Sequence, residues 1–221
     1  MMNISSDFLI HWTGHDIEEL PEDKKKVRYV KRLCDDLQQG LYAKRKKREL
    51  SVRHIILKNI VRICFTERSL SEAKTHATQF GRLGIGFTRD FVVKRGGQRM
   101  AYFPYEQKQI NYLTELSAAS KWTLAHAKRA ASGKDLAHPE FKNFEEEKEY
   151  RIVYHERPNE SPFTRDHEHL VHRLPFGLHD LKIVIFPDEQ TKELALKDKF
   201  IKEYFSVSMP IIMTLDECED L

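Results

Sequence analysis

Side chains able to do chemistry are few in this chain and far apart. Glu147 and Glu149 flank Lys148 just ahead of an apolar run at 150–154. Residues two apart on an extended chain project to one face, so both carboxylates would point into the same cleft. A carboxylate in a cleft can accept a proton or stabilise a neighbouring cation. His11 and Thr13 lie at the end of a short aromatic and branched segment. A histidine there either hydrogen-bonds a ligand or is satisfied by a backbone carbonyl. Lys44, Arg45, Lys46, Lys47 and Arg48 form a run of five bases. Such a run can neutralise several phosphates of a nucleic acid. It has no interleaved aromatic residue for base stacking, and solvated surface is its plainer reading.

Other groups point to less. Cys64 lies inside an apolar run, where a thiol is inert packing rather than a nucleophile. Asp166, His167, Glu168, His169 and His172 give an H-x-H-x-x-H spacing on one expected strand. That lacks the i, i+4 helical geometry of common zinc enzymes, so no metal is expected. Gly84-Ile-Gly86 and Gly96-Gly97 lack the lysine and serine of a phosphate loop. No Ser-His-Asp or Cys-His nucleophile pattern is visible.

Elements must position these groups. Asp7 to Thr13 reads as a strand, and residues 18–26 as an exposed charged loop. From Arg28 a helical spacing sets Val30, Leu33 and Leu37 on one face, with Gly40 as its C-cap glycine. Leu41 to Ala43 restarts an extended segment, and residues 60–65 form a buried strand. Ser69 and Glu72 fit a capping box opening a helix to Phe80. Residues 84–87 and 99–103 are strands, with a turn at Gly96-Gly97 before the second. Residues 106–131 hold no proline or glycine and read as largely helical; a loop follows at 133–144. Strands are expected at 150–154 and 181–186. Asp188 caps a helix reaching Phe205 with a stripe of Leu194, Leu196, Phe200, Ile201 and Tyr204, and residues 211–213 close the sheet. One α+β domain over 1–221 is expected, with a mixed, mostly antiparallel central sheet flanked by helices.

Composition sets bounds. The chain has 221 residues, 40% hydrophobic and 32% charged, with a net charge of +3. That suits a soluble domain and announces no nucleic-acid binder by overall charge. No run approaches the roughly 18 apolar residues a membrane helix needs, and no secretion leader is recognisable. Cys34, Cys64 and Cys218 are odd in number and unpaired by spacing, which agrees with a reducing cytoplasm.

Several pieces, in order, resemble AbiGi-type abortive-infection (phage-defence) proteins. They are Phe8-Leu-Ile-His-Trp-Thr-Gly14, Cys64-Phe-Thr-Glu67 with Leu70, Gly81-Arg-Leu-Gly-Ile-Gly-Phe87, residues 144–153, Ile185-Phe-Pro-Asp-Glu189 and Thr214-Leu-Asp-Glu-Cys218. That family is described as an antitoxin component, which implies a cognate toxin or other defence partner protein. His11-x-Thr13 closing a strand, then a helix and Gly40-Leu41, is also distantly similar to the opening of ADP-ribosyltransferase folds. In the H-Y-E branch, to which the thymidine-modifying DarT toxins are read as distant relatives, histidine and threonine at this place hold the nicotinamide riboside of NAD. The resemblance implies NAD as cofactor or substrate, His11 and Thr13 against its ribose, and Glu149 or Glu147 as the catalytic carboxylate. It sets Cys64 or Phe65 where that branch has a stacking tyrosine, and only Phe65 can stack. The activity implied is transfer of ADP-ribose to a macromolecule or hydrolysis of NAD. The missing tyrosine keeps a non-catalytic module open beside it, one that binds a toxin partner, a phage component or, through the basic run, nucleic acid.

Overall fold

The computed structural model describes residues 8–46, 51–52, 55–56, 60–67, 69–103, 127–129, 148–154, 161–166 and 171–219. Its main sheet has ten strands. They are β1 (Phe8–Thr13), β2 (Leu41–Lys46), β5 (Ile60–Thr66), β6 (Leu83–Thr88), β7 (Gln98–Arg99), β10 (Glu149–Val153), β11 (Thr164–Asp166), β12 (Val171–Leu174), β13 (Leu181–Phe186) and β14 (Ile211–Thr214). Two further pairs stand apart from it: β3 (Ser51–Val52) with β4 (Ile55–Ile56), and β8 (Ala101–Phe103) with β9 (Ala127–Arg129). The main order is β11-β12-β2-β5-β1-β6-β13-β14, with β10 on β5 and β7 on β10. Every pair in that sheet is antiparallel except β13 with β14. The fold is α+β with a mixed, mostly antiparallel sheet, as expected.

Strand alternation explains why helices cover both faces. On β1, Leu9 joins the larger core while Ile10 and Trp12 join a second one; on β13, Val184 and Phe186 go one way and Ile183 and Ile185 the other. The larger core is closed by α1 (Glu22–Gln39) through Tyr29, Leu33 and Leu37. Also on it are α3 (Arg89–Lys94), α4 (Glu189–Lys197) and α5 (Lys199–Ser208). The second core is closed by α2 (Ala73–Phe80) and α6 (Leu215–Glu219). Full burial of each large aliphatic or aromatic side chain contributes about 1.5–3 kcal/mol, and these residues supply the fold's main driving force.

Several expectations are corrected. Helix α1 begins at Glu22, inside the stretch read as loop; its exposed acidic and lysine residues form the solvent face of a helix whose apolar face starts later. No side-chain cap forms at Ser69: its hydroxyl donates to Glu72 at 3.1 Å, and a 3-10 turn over Leu70–Glu72 precedes α2. Helix α3 follows β6 where no helix was expected. Its N-cap Thr88 accepts from Phe91 N at 3.2 Å, and Gly97 lies beyond it. The C-terminal helix is two helices, because Asp198 leaves helical geometry and caps the second. Of the expected stripe, Ile201 is buried and Phe200 and Tyr204 pack partly buried against the core, whereas Leu194 and Leu196 are exposed; Ala195 and Phe205 are the further buried residues. Residues 127–129 are a strand parallel to β8, not helix; most of 106–131 and the loop at 133–144 lie outside the described residues.

Candidate functional site

The site grows from an uneven sharing of β5. One edge of β5 takes β10, from Arg62 opposite Val153 to Thr66 opposite Glu149. The other edge is divided. Strand β2 pairs with residues 60–62, whereas β1 pairs only at Thr66, opposite Ile10. Between them the sheet forks. His11 sits in the fork, with Nδ1 2.9 Å from the carbonyl oxygen of Cys64. A carbonyl can only accept, so Nδ1 carries the proton. The imidazole is 5.9 Å from the Phe65 ring, tilted by 58°.

Alternation along β5 then sorts the side chains. Val61, Ile63 and Phe65 enter the larger core. Arg62, Cys64 and Thr66 take the opposite face, beside their register partners Val153, Arg151 and Glu149. On that side lies a cavity of about 230 Å³, which extends to the fork. Helix α2 walls it with His76, Gln79 and Phe80, at i, i+3 and i+4 on one helical face. His76 is buried and its Nε2 is 2.9 Å from Thr66 Oγ1. His15 and Tyr42 stand on both this cavity and a second groove of about 480 Å³. The groove carries Arg28, Lys31, Arg32 and Arg173, together with Asp16, Glu19 and Asp35.

Glu149 is held tightly. Arg151 donates from Nε to Oε1 at 2.7 Å and from Nη2 to Oε2 at 3.1 Å, and both side chains are buried. The Cys64 thiol also hydrogen-bonds this carboxylate; burial, then the charge of Glu149, pushes it up to about 11. Cys64 is therefore a thiol at neutral pH and not a nucleophile.

His11, Phe65 and Glu149, three of the residues singled out in the sequence, line this one cavity. Phe65 does so as a core residue, 1% exposed and edge-on to Phe87 at 6.0 Å. Thr13 is turned elsewhere: it is buried, and its hydroxyl accepts from Arg32 at 2.9 Å. Lys148, just before β10, has a φ of 40° and is not extended. Glu147 itself lies outside the described residues. Lys44, Arg45 and Lys46 belong to β2, while Lys47 and Arg48 lie outside the described residues. Asp166 and His172 are on two antiparallel strands, not one. Among the described residues, no three His, Cys, Asp or Glu side chains are grouped as metal ligands would be. Nor is any described helix long and apolar enough to cross a membrane.

No family model matches the chain, and no curated protein does. Two solved structures of Thermus sp. 2.9 DarT, one in complex with NAD+ and one with carba-NAD+, are similar to it at 15% identity over 96% of each chain. Their TM-scores are 0.38 and 0.37, too low for the likeness to decide anything.

Sequence reasoning missed Arg62, Thr66 and His76 as neighbours of the cavity, and Tyr42 at its mouth. Arg62 carries a signal that was available, since it interrupts an apolar strand and a buried charge must find a partner; Arg151 carries the same signal, which points to Glu149 or Glu67, and the structure pairs it with Glu149. Tyr42 and His76 carry none, because the fork that brings them near belongs to the sheet and not to any local pattern.

Proposed function

We propose that this chain is an ADP-ribosyltransferase-like domain that takes NAD as substrate and passes its ADP-ribose to a macromolecule or to water. One observation carries the reading: His11 and Glu149, from strands 138 positions apart in sequence, line the same cavity beside the fork in the sheet. The cavity, about 230 Å³, falls below the roughly 300–1,000 Å³ of sites that enclose a whole ligand. It suits one end of a dinucleotide. The adjoining groove, reached past His15 and Tyr42, gives the remainder somewhere to lie.

The chemistry fits the residue types. Cleavage breaks the bond between the ribose anomeric carbon and the ring nitrogen, and the electron pair leaves with neutral nicotinamide. Positive charge then builds on the sugar, where a carboxylate such as Glu149 stabilises it in the transition state more than in the ground state. The acceptor bonds the same carbon and loses a proton to solvent or to Glu149. While neutral, a histidine at this place can hydrogen-bond without adding a positive charge beside that cation, which is the part given to His11. Phe65 supplies an apolar wall.

We read this activity as part of phage defence, a reading supported by the sequence motifs that resemble abortive-infection proteins. Nicotinamide release should be measurable with the purified wild type and reduced at least about a hundredfold in Glu149→Ala, the scale of losing one transition-state stabilising group. Equal background from both proteins would remove the transferase reading.

A second reading is a non-catalytic module that binds a toxin partner or a phage component. It is favoured by the double hydrogen bond from Arg151, which already balances the Glu149 charge. Co-expression with a neighbouring toxic gene product tests it; the module reading requires a stable complex and rescue of growth.

A further inference from the structure

We propose that Arg151 is a positioning residue that keeps the Glu149 carboxylate ionised and aimed into the cavity. The inference rests on the role given to Glu149 above. Its geometry is a two-point clamp, one guanidinium nitrogen on each carboxylate oxygen, at 2.7 and 3.1 Å. Two parallel charge-assisted hydrogen bonds fix the plane of a carboxylate as well as its charge, which a lysine cannot do. Clamp and carboxylate lie two residues apart on β10, so the strand holds both on one face.

Burial makes the clamp necessary. Side-chain exposures are 4% for Arg151 and 8% for Glu149, and desolvation alone drives a carboxyl toward its neutral form. Among the described residues, the other titratable or charged groups lining the same cavity are Arg62 and Cys64 on β5, His76 on α2, His11 on β1, His15 and Tyr42. Arg99 is on β7, the other neighbour of β10. Cys64 adds a hydrogen bond but no charge. Arg151 contacts both oxygens. The pair is neutral overall, yet a cation forming nearer to the Glu149 oxygens than to the guanidinium is still stabilised, because Coulomb attraction falls with distance.

The test follows the Glu149 carboxyl by carbon NMR across pH 5 to 9 in wild type, Arg151→Met and Arg151→Lys, with nicotinamide release from NAD measured over the same range. Glu149 should stay ionised throughout in the wild type and titrate at least about one pH unit higher in Arg151→Met. Release by Arg151→Met should fall with the fraction of Glu149 left ionised, about twofold at the midpoint of that titration, and recover most of the way by pH 9. Arg151→Lys should restore the pH profile but leave kcat reduced, since a point charge holds the carboxylate without orienting it. Identical titration of Glu149 in wild type and Arg151→Met overturns the clamp. If the methionine variant does not fold, an Arg151→Lys protein with wild-type kcat and an unchanged acidic limb overturns it instead. A shifted titration with no nicotinamide release by the wild type supports the clamp and removes the transferase reading.

Discussion

Glu149 and His11 show how far a single residue's role depends on what its hydrogen bonds already do. The imidazole of His11 is tied to the Cys64 carbonyl, the bond that a purely architectural histidine would make. It also borders the cavity, so the architectural role leaves room for the proposed one. They separate by measurement. His11→Ala strands a carbonyl in the fork and should lower unfolding stability by about 1–3 kcal/mol in urea titrations. If His11 also holds ribose, KM for NAD should rise several-fold in the fraction that remains folded. Unchanged KM with lowered stability would assign His11 to the sheet alone. The three thiols raise no such question. Burial pushes Cys34 and Cys64 up to about 11 and Cys218 up to about 12, so none is a thiolate near neutral pH.

At the scale of elements, short polar caps and two glycines decide where helices stop and strands begin. Asp198 accepts from Ile201 N at 3.1 Å and splits one apolar stretch into α4 and α5. Replacing it by alanine should cost about 1 kcal/mol, read as a lowered melting temperature with the fold retained. Gly81 is less replaceable. Its φ is 117°, and an added Cβ would lie 2.2 Å from the Thr13 carbonyl oxygen at the end of β1. Gly81→Ala should therefore destabilise by more than the roughly 1 kcal/mol of an ordinary glycine replacement and should disturb the His11 end of the cavity. Gly40, with φ 88°, plays the same part where α1 hands over to β2. That turn was legible in sequence because glycine is the residue a positive φ demands. The break at Asp198 was not, since an aspartate within an amphipathic run also fits a continuous helix.

On the scale of the whole molecule, α1 is tied to the far half of the sheet through a buried charge. Asp36 on α1 is 2% exposed, and its Oδ1 lies 3.8 Å from Arg173 Nη1 on β12. Burial pushes its carboxyl up to about 7, while Arg32 and Arg173 pull the other way. A folded-state value above the unfolded one means the native state binds the extra proton. The contribution to stability is then complete below about pH 4 and is lost as pH rises through about 7. Wild type should lose on the order of 3 kcal/mol relative to Asp36→Asn between pH 4 and pH 8, measured by denaturant unfolding at each pH. A difference between the two proteins that does not change with pH would show Asp36 to be ionised throughout.

Local pattern alone determined the class of fold, most strand positions and the residues worth suspecting, because side-chain periodicity and glycine geometry act over a few residues. It marked His11, Phe65 and Glu149 without being able to say that they meet. Tertiary structure decided the rest. Which strands share the edge of β5, where the sheet forks, that the Glu149–Arg151 pair is buried on a cavity wall, and that Thr13 is taken by Arg32 all depend on contacts between distant segments. Those contacts arise from pairing register and packing, which no short stretch of sequence encodes by itself.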